Sequence, residues 1–304
     1  MGPPEGAAGQ QVGSGTVESR ARVDPLTGIE VQITGSRQAR PNRPAGACPF
    51  CVGGLEAPEP YDVRWFPNRW PAYPNDRCEV VLYHPDHDAR LASLPVTHVR
   101  KVVDLWAQRS SVLGARDDVE YVLVFENNGA EVGATISHPH GQIYAYPHVP
   151  AAPAGELARA AAGHRLLEDE PSLVVVERDG WRAWVPSAAI HPYGMRIAPL
   201  DEVPDLPSLT AQGRDAMASV LSEALARLEG VFRPSMPYMF WIRQRPFDGR
   251  EWPGTRMHVE VVGPHRAPGV MRYVAAAELA TGAYQNPVVP EQAAEDLRAV
   301  EVRP

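Results

Sequence analysis

Short runs of β-branched and aromatic residues alternate along this chain with two longer stretches whose apolar residues recur at helical spacing. The runs Glu79–His84, Glu120–Phe125, Gln142–Ala145, Ser172–Glu177, Tyr238–Ile242 and His258–Val262 predict strands, because branched and aromatic side chains suit a pleated, half-buried surface. The stretches Thr97–Leu113, with Val99, Val102, Leu105 and Trp106, and Thr210–Leu228, with Met217, Leu221, Leu225 and Leu228, predict amphipathic helices.

The order of these elements repeats. A strand, a Leu-Pro step, a helix, a strand and a histidine-bearing strand occur twice. Ser93-Leu94-Pro95 precedes the first helix and Leu206-Pro207-Ser208 the second, and His138-Pro139-His140 ends the first unit where His258-Val259-Glu260 ends the second. An α+β fold of duplicated units is expected, each an antiparallel sheet with flanking helices. The 32 prolines cluster in the N-terminal tail, in 41–75, in 147–153 and in 199–207, and read as extended loops with a linker near 150–165. The expected division is a disordered tail over 1–18, a first unit over 19–155 and a second over 156–304; the tail is Gly, Pro, Ala, Ser and Gln with almost nothing apolar to bury.

Composition narrows the class. With 304 residues, 44% hydrophobic and 22% charged, the chain can bury a real core in one or two domains. A net charge of −8 with no Lys/Arg-rich run argues against binding a nucleic-acid polymer or an anionic membrane surface, while leaving room for a small basic pocket for one phosphate ester. The N-terminus MGPPEGAAGQQVGSG has no basic start followed by an apolar segment, and 18 uncharged apolar residues never run together, so a cytoplasmic protein is expected. Cys48, Cys51 and Cys78 are too few and too uneven for a disulfide framework.

Two segments carry candidate chemistry. In NNGAEVGATISHPHGQIYAY, residues 127–146, alternation along an extended strand puts His138, His140 and Gln142 on one face. Three polar side chains on one face of an otherwise apolar strand are costly to bury without partners, which points to a cleft. Asn127-Asn128-Gly129 and Gly133 supply backbone freedom and amide donors for approach to a phosphate, and equally suit a tight hairpin loop. Cys48-Pro49-Phe50-Cys51 is a knuckle whose thiolates can take one edge of a tetrahedral zinc. His84, His87, His98, His138, His140 and His148 are all available as further ligands, and a redox pair or two unligated thiols also satisfy the spacing.

CPFC at 48–51, the PDH of Pro85-Asp86-His87 and GATISHPHGQ stand in the order found in galactose-1-phosphate uridylyltransferases, a branch of the histidine-triad superfamily, and the chain resembles that family from Asp24 through its C-terminal PEQAAEDLRAV. The resemblance implies duplicated histidine-triad-like units, the first of them catalytic. It implies that Cys48, Cys51, His87 and His138 bind one structural zinc ion per chain. His140 would be the nucleophile and Gln142 would bond the transferred phosphoryl group. It places Arg37 and Arg40 near nucleotide or sugar phosphates, where a guanidinium fork suits phosphate oxygens, although either also suits a solvated surface. Phe50, Asn68, Asn127, Gly133 and Thr135 would surround the nucleotide. The implied substrates are a UDP-sugar, most simply UDP-glucose, and a sugar 1-phosphate such as galactose 1-phosphate. The implied assembly is a homodimer.

Departures from the family pattern concern two further places. Some members hold a second, non-catalytic metal with one glutamate and three histidines; Glu156 and His258 match, but Arg243 and Glu260 stand at the other two positions. Arginine is no substitute for a histidine ligand, so no metal of that kind is expected there, and Arg243 is expected to pair with a carboxylate or a phosphate. In the segment resembling the hexose-binding region, Arg272 to Glu278, the glutamate is kept as Glu278, while Ala277 stands where a tyrosine contributes a hydroxyl and Arg272 where a lysine sits.

Overall fold

The computed structural model describes residues 20–39, 46–167, 170–232 and 236–302. All six strands that the alternation predicts are present. An N-terminal hairpin, β1 (Arg20–Val23) and β2 (Glu30–Ile33), turns at Asp24, whose carboxylate accepts the amide hydrogens of Leu26 and Thr27 at 2.9 and 2.7 Å. The first half continues with β3 (Arg64–Pro67), β4 (Cys78–Leu82), helix α1 (Val96–Gly114), β5 (Tyr121–Asn128) and β6 (His140–Tyr146). Helix α2 (Ala151–Ala161) follows, where the prolines suggest a linker. Pro150 precedes its first residue and Pro153 lies in its first turn, positions that have no intrahelical N–H bond to lose.

The second half holds β7 (Val174–Arg178), β8 (Trp181–Trp184), β9 (Met195–Pro199), helix α3 (Ala211–Val231), β10 (Tyr238–Arg243) and β11 (His258–Val262). The small hairpin β12 (His265–Ala267) and β13 (Val270–Met271) and helices α4 (Ala276–Thr281) and α5 (Pro290–Ala299) complete the order. Helix α3 starts where it does because the Thr210 hydroxyl accepts the Gly213 amide at 3.0 Å.

Nine strands form one sheet in the order β3-β4-β6-β5-β10-β11-β9-β8-β7, antiparallel throughout. The duplication is visible in it: β4-α1-β5-β6 and β9-α3-β10-β11 have the same strand-helix-hairpin plan, and the two copies meet where β5 pairs with β10, Phe125 opposite Trp241.

Helices α1 and α3 pack together over one face of the sheet. Val99, Val102, Trp106, Met217, Leu221 and Leu225 meet Val124, Ile143, Phe240 and Val261 in a continuous core, each large side chain contributing roughly 1.5–3 kcal/mol by burial. The opposite face carries a smaller apolar cluster of Phe50, Ala57, Val80 and Leu82 beside two cavities, and β6 divides its residues between the two faces. Gly141, Ile143 and Ala145 point to the core, while His140, Gln142, Tyr144 and Tyr146 are half-buried on the opposite side. Gly141 is required by close approach, since a Cβ there would lie 2.0 Å from the Tyr83 hydroxyl. No helix among the described residues is long and apolar enough to cross a membrane.

Candidate active site and metal centre

The knuckle is a tight loop. The amide of Gly54 donates to the Cys51 carbonyl at 2.8 Å and that of Glu56 to the Pro49 carbonyl at 2.9 Å. A Cβ at Gly54 would lie 2.7 to 2.8 Å from the carbonyl oxygens of Cys48, Pro49 and Cys51, so only glycine lets the loop close this far. His87 approaches from the segment after β4 and His138 from the residues before β6. One ligand atom from each of Cys48, Cys51, His87 and His138 lies within 4.8 Å of the others. These four side chains can hold a metal ion.

The donor set fits zinc on geometry as well as type. Cys51 Sγ is 3.6 Å from His87 Nδ1 and 3.7 Å from His138 Nδ1. Bond lengths of about 2.3 Å to sulfur and 2.0–2.1 Å to nitrogen at a tetrahedral zinc separate such a pair by about 3.6 Å. The tautomer follows from the partners. His138 Nε2 lies 2.8 Å from the His84 carbonyl, which can only accept, so Nε2 carries the hydrogen and Nδ1 keeps its lone pair for a metal. Burial pushes the His138 imidazole down to about 4, with the neighbouring His87 and His140 acting in the same direction, which keeps it neutral. Desolvation first, and then the adjacent Cys48, hold the Cys51 thiol above its usual range; a bound cation would oppose both effects.

His140 begins β6 two residues beyond this centre. Its Nδ1 lies 2.7 Å from the His138 carbonyl, so Nδ1 carries the hydrogen and Nε2 the lone pair. The Phe50 ring, held 6% exposed by the knuckle and by Phe66, stands edge-on to the His140 ring with centroids 5.2 Å apart. His140 lines two cavities. One is partly apolar, with Phe50, Phe66, Asn68, Trp70, Val80 and Gln142 around it. The other is polar, with Arg90, Asn127, Asn128, Thr135 and Ser137. A base and an anionic group placed in these two spaces would bring a phosphorus atom between them to His140.

The structure thus brings together Cys48, Cys51, His87, His138, His140, Gln142, Phe50, Asn68, Asn127 and Thr135. Gly133 adjoins them, the Asn127 amide nitrogen lying 3.8 Å from where a Cβ at Gly133 would be. Arg37 lies in a short 3-10 turn, Gly35–Ala39, and lines neither cavity; Arg40 falls outside the described residues. Arg272 and Glu278 also line neither. They form a buried ion pair with each other, and the Glu278 carboxylate accepts the amides of Ala275 at 2.7 Å and Gln285 at 2.8 Å.

At the position of the second metal site, Arg243 Nε lies 3.3 Å and His258 Nε2 3.8 Å from the two oxygens of Glu156, and Arg196 pairs with Glu260 at 3.0 Å. The guanidinium pairs with a carboxylate, as its residue type leads one to expect. These residues do not fit a metal ion.

Sequence reasoning missed Tyr61 and Ser137. The Tyr61 hydroxyl lies 2.7 Å from His138 Nε2 and donates to the Phe50 carbonyl at 2.8 Å, tying the ligand to the knuckle. Ser137 Oγ lies 3.0 Å from His87 Nε2. Tyr61 stands 77 positions from His138, and no motif connects them; Ser137 lies within the quoted motif but carries no sign of its partner.

Comparison with known proteins gives a consistent result. Residues 70–150 match the N-terminal domain of galactose-1-phosphate uridyl transferase and residues 137–303 its C-terminal domain. A galactose-1-phosphate uridylyltransferase of Thermotoga maritima is 34% identical over 312 residues, covering 92% of this chain and 98% of that protein. One of Streptomyces lividans is 37% identical over 311 residues, covering 93% and 87%. A solved uridylyltransferase superposes with a TM-score of 0.85 at 30% identity, covering 92% of this chain and 97% of its own.

Proposed function

The chain belongs to the galactose-1-phosphate uridylyltransferase family, and from that premise we propose that His140 carries a uridylyl group from a UDP-hexose to a hexose 1-phosphate, with UDP-glucose and galactose 1-phosphate as the substrate pair. The observation that supports this most directly is the 2.7 Å contact of His140 Nδ1 with the His138 carbonyl. It holds the hydrogen on the far nitrogen and aims a lone pair from Nε2.

In the first half-reaction the Nε2 lone pair bonds to the α-phosphorus as the bond from phosphorus to the bridging oxygen breaks, and the sugar 1-phosphate leaves with that electron pair. In the second, a phosphate oxygen of the incoming hexose 1-phosphate bonds to the same phosphorus and the N–P electrons return to Nε2. No proton need move in either step. The carbonyl of His138 faces the ring while it bears positive charge. Gln142 and loop amides meet the non-bridging oxygens. The kinetics are ping-pong.

Cys48, Cys51, His87 and His138 would hold zinc with no open coordination position, which supplies a cross-link between the knuckle and the base of β6. Phe50, Asn68, Asn127, Gly133 and Thr135 border the nucleotide in this reading, and the resemblance assigns Arg37 and Arg40 to phosphates. Arg272 and Glu278 stand in the segment that resembles the hexose-binding region, and in this reading the chain pairs as a homodimer. The strongly exposed Tyr273 and Leu279 beside them favour such contact. The assembly is read as cytoplasmic.

Intact-protein mass after mixing with UDP-glucose tests the reading. Wild-type protein is expected to gain one uridylyl group, His140→Ala to gain none, and galactose 1-phosphate to discharge the adduct. Discharge by inorganic phosphate in place of a sugar phosphate, or no adduct at all, would overturn it.

A further inference from the structure

Gln142 presents an ambiguity that its chemistry makes consequential. One end of its amide is a donor and the other an acceptor, and only the donor end suits a phosphoryl group with anionic oxygens. We propose that Asn68 is a positioning residue that decides which end of Gln142 faces the phosphoryl group, an inference that rests on the uridylyl-transfer reading.

The argument starts from a backbone group whose role is unambiguous. The N–H of Trp70 can only donate, and it donates to Asn68 Oδ1 at 2.9 Å. The other end of the Asn68 side chain is therefore its NH2 group. That group donates to Gln142 Oε1 at 3.1 Å, so the Gln142 oxygen is turned toward Asn68 and its own NH2 is turned away. The Tyr144 hydroxyl lies 3.5 Å from the same oxygen, but it can donate or accept and so does not distinguish the two ends.

Asn68 is itself anchored. Its amide donates to the Cys78 carbonyl at 2.8 Å, continuing the β3–β4 ladder beyond Pro67. Asn68, Gln142 and His140 border one cavity. The relay thus runs from a fixed main-chain donor through two amides, and it ends with a donor presented where negative charge gathers.

Aspartate at this position reverses the relay without changing its shape. One carboxylate oxygen keeps the Trp70 N–H; the other becomes an acceptor, so Gln142 turns its NH2 toward residue 68 and offers Oε1 to the phosphoryl group. The experiment measures single-turnover formation of the uridylyl adduct from UDP-glucose, with KM in steady state, for wild type, Asn68→Asp, Asn68→Ala, Gln142→Ala and the Asn68→Asp/Gln142→Ala double variant.

Asn68→Asp is expected to slow adduct formation on the order of 10²-fold. Asn68→Ala, which frees Gln142 without reversing it, is expected to cost several-fold only. In the Gln142→Ala background, aspartate should add little. Three results overturn the inference: truncation costing more than the isosteric change, an aspartate penalty undiminished without Gln142, or an effect confined to KM. Those would mark a packing role, direct charge repulsion or a plain nucleotide contact. Absence of an adduct in the wild type is a different failure, since it overturns the uridylyl-transfer reading and the inference with it.

Discussion

Each half of the sheet closes with a hairpin whose second strand begins with a histidine, His140 in β6 and His258 in β11. In both, Nδ1 faces the carbonyl two residues earlier, at 2.7 Å from His138 and 3.3 Å from Arg256. The surroundings then diverge. His140 is half-buried beside Phe50 and borders two cavities, whereas His258 is 6% exposed, with Nε2 turned toward the Glu156 carboxylate in a smaller cavity lined by Arg196, Arg243 and Arg256. Two residues further on, Gln142 is neutral and held by Asn68, while Glu260 is charged and paired with Arg196. The same carbonyl contact at Nδ1 thus sits in two different environments. The two copies differ in what adjoins the imidazole: neutral Gln142 and Asn68 in the first, and the charged Glu156, Glu260, Arg196 and Arg243 beside a cavity in the second.

The comparison breaks most sharply on paired substitutions. His140→Ala should lower uridylyl transfer on the order of 10⁴-fold or more. His258→Ala should leave turnover within several-fold of wild type while lowering the unfolding midpoint, and comparable loss from both would erase the asymmetry. Metal content separates the halves next. Cys51→Ser should lose the bound metal by elemental analysis, together with at least several kcal/mol of stability, whereas His258→Ala should keep one ion per chain.

A pH series sharpens the difference at the second histidine. Burial, assisted by Arg196 and Arg243 and opposed by Glu260, pulls His258 down from 6.5 to about 4. The unfolded chain takes up that proton near 6.5 and the folded chain only near 4. Stability present above pH 6.5 is thus lost as pH falls toward 4, and about 3 kcal/mol is at stake. Urea unfolding of His258→Gln should show a shallower decline across this window, and an unchanged decline would remove His258 from the account. The smallest effect is expected from Glu156→Gln. Its side chain is 42% exposed, so weakening its contact with Arg243 should cost roughly 1 kcal/mol or less in the same assay.

Local patterns carried much of this. The alternation EVVLYH and EYVLVF announces strands β4 and β5, and the spacing of Val99, Val102 and Trp106 announces α1. Strands β1, β2, β3, β8, β9, β12 and β13 are not among the predicted runs, because strands of two to five residues resemble loops at that length. Helix α2 was hidden by the prolines that start it. At the site, the knuckle and the HPHGQ segment are contiguous in sequence and legible as chemistry, while the choice of His87 and His138 among six histidines comes from the resemblance and not from spacing, because ligand separation is a three-dimensional quantity.

The sequence by itself determined the residue types that can act, their order along the chain and the duplicated plan that carries them, since period, motif and charge are properties of neighbours in the chain. Only the tertiary structure decided which nitrogen of each histidine is held, that Tyr61 reaches His138, that Asn68 turns Gln142, and that Arg243 meets Glu156. These depend on strands β3, β4, β6 and β10 and helix α2 being brought alongside one another. Hydrogen bonds and ion pairs act over about 3 Å, a distance that residues many positions apart in the chain reach only once the sheet has set their register.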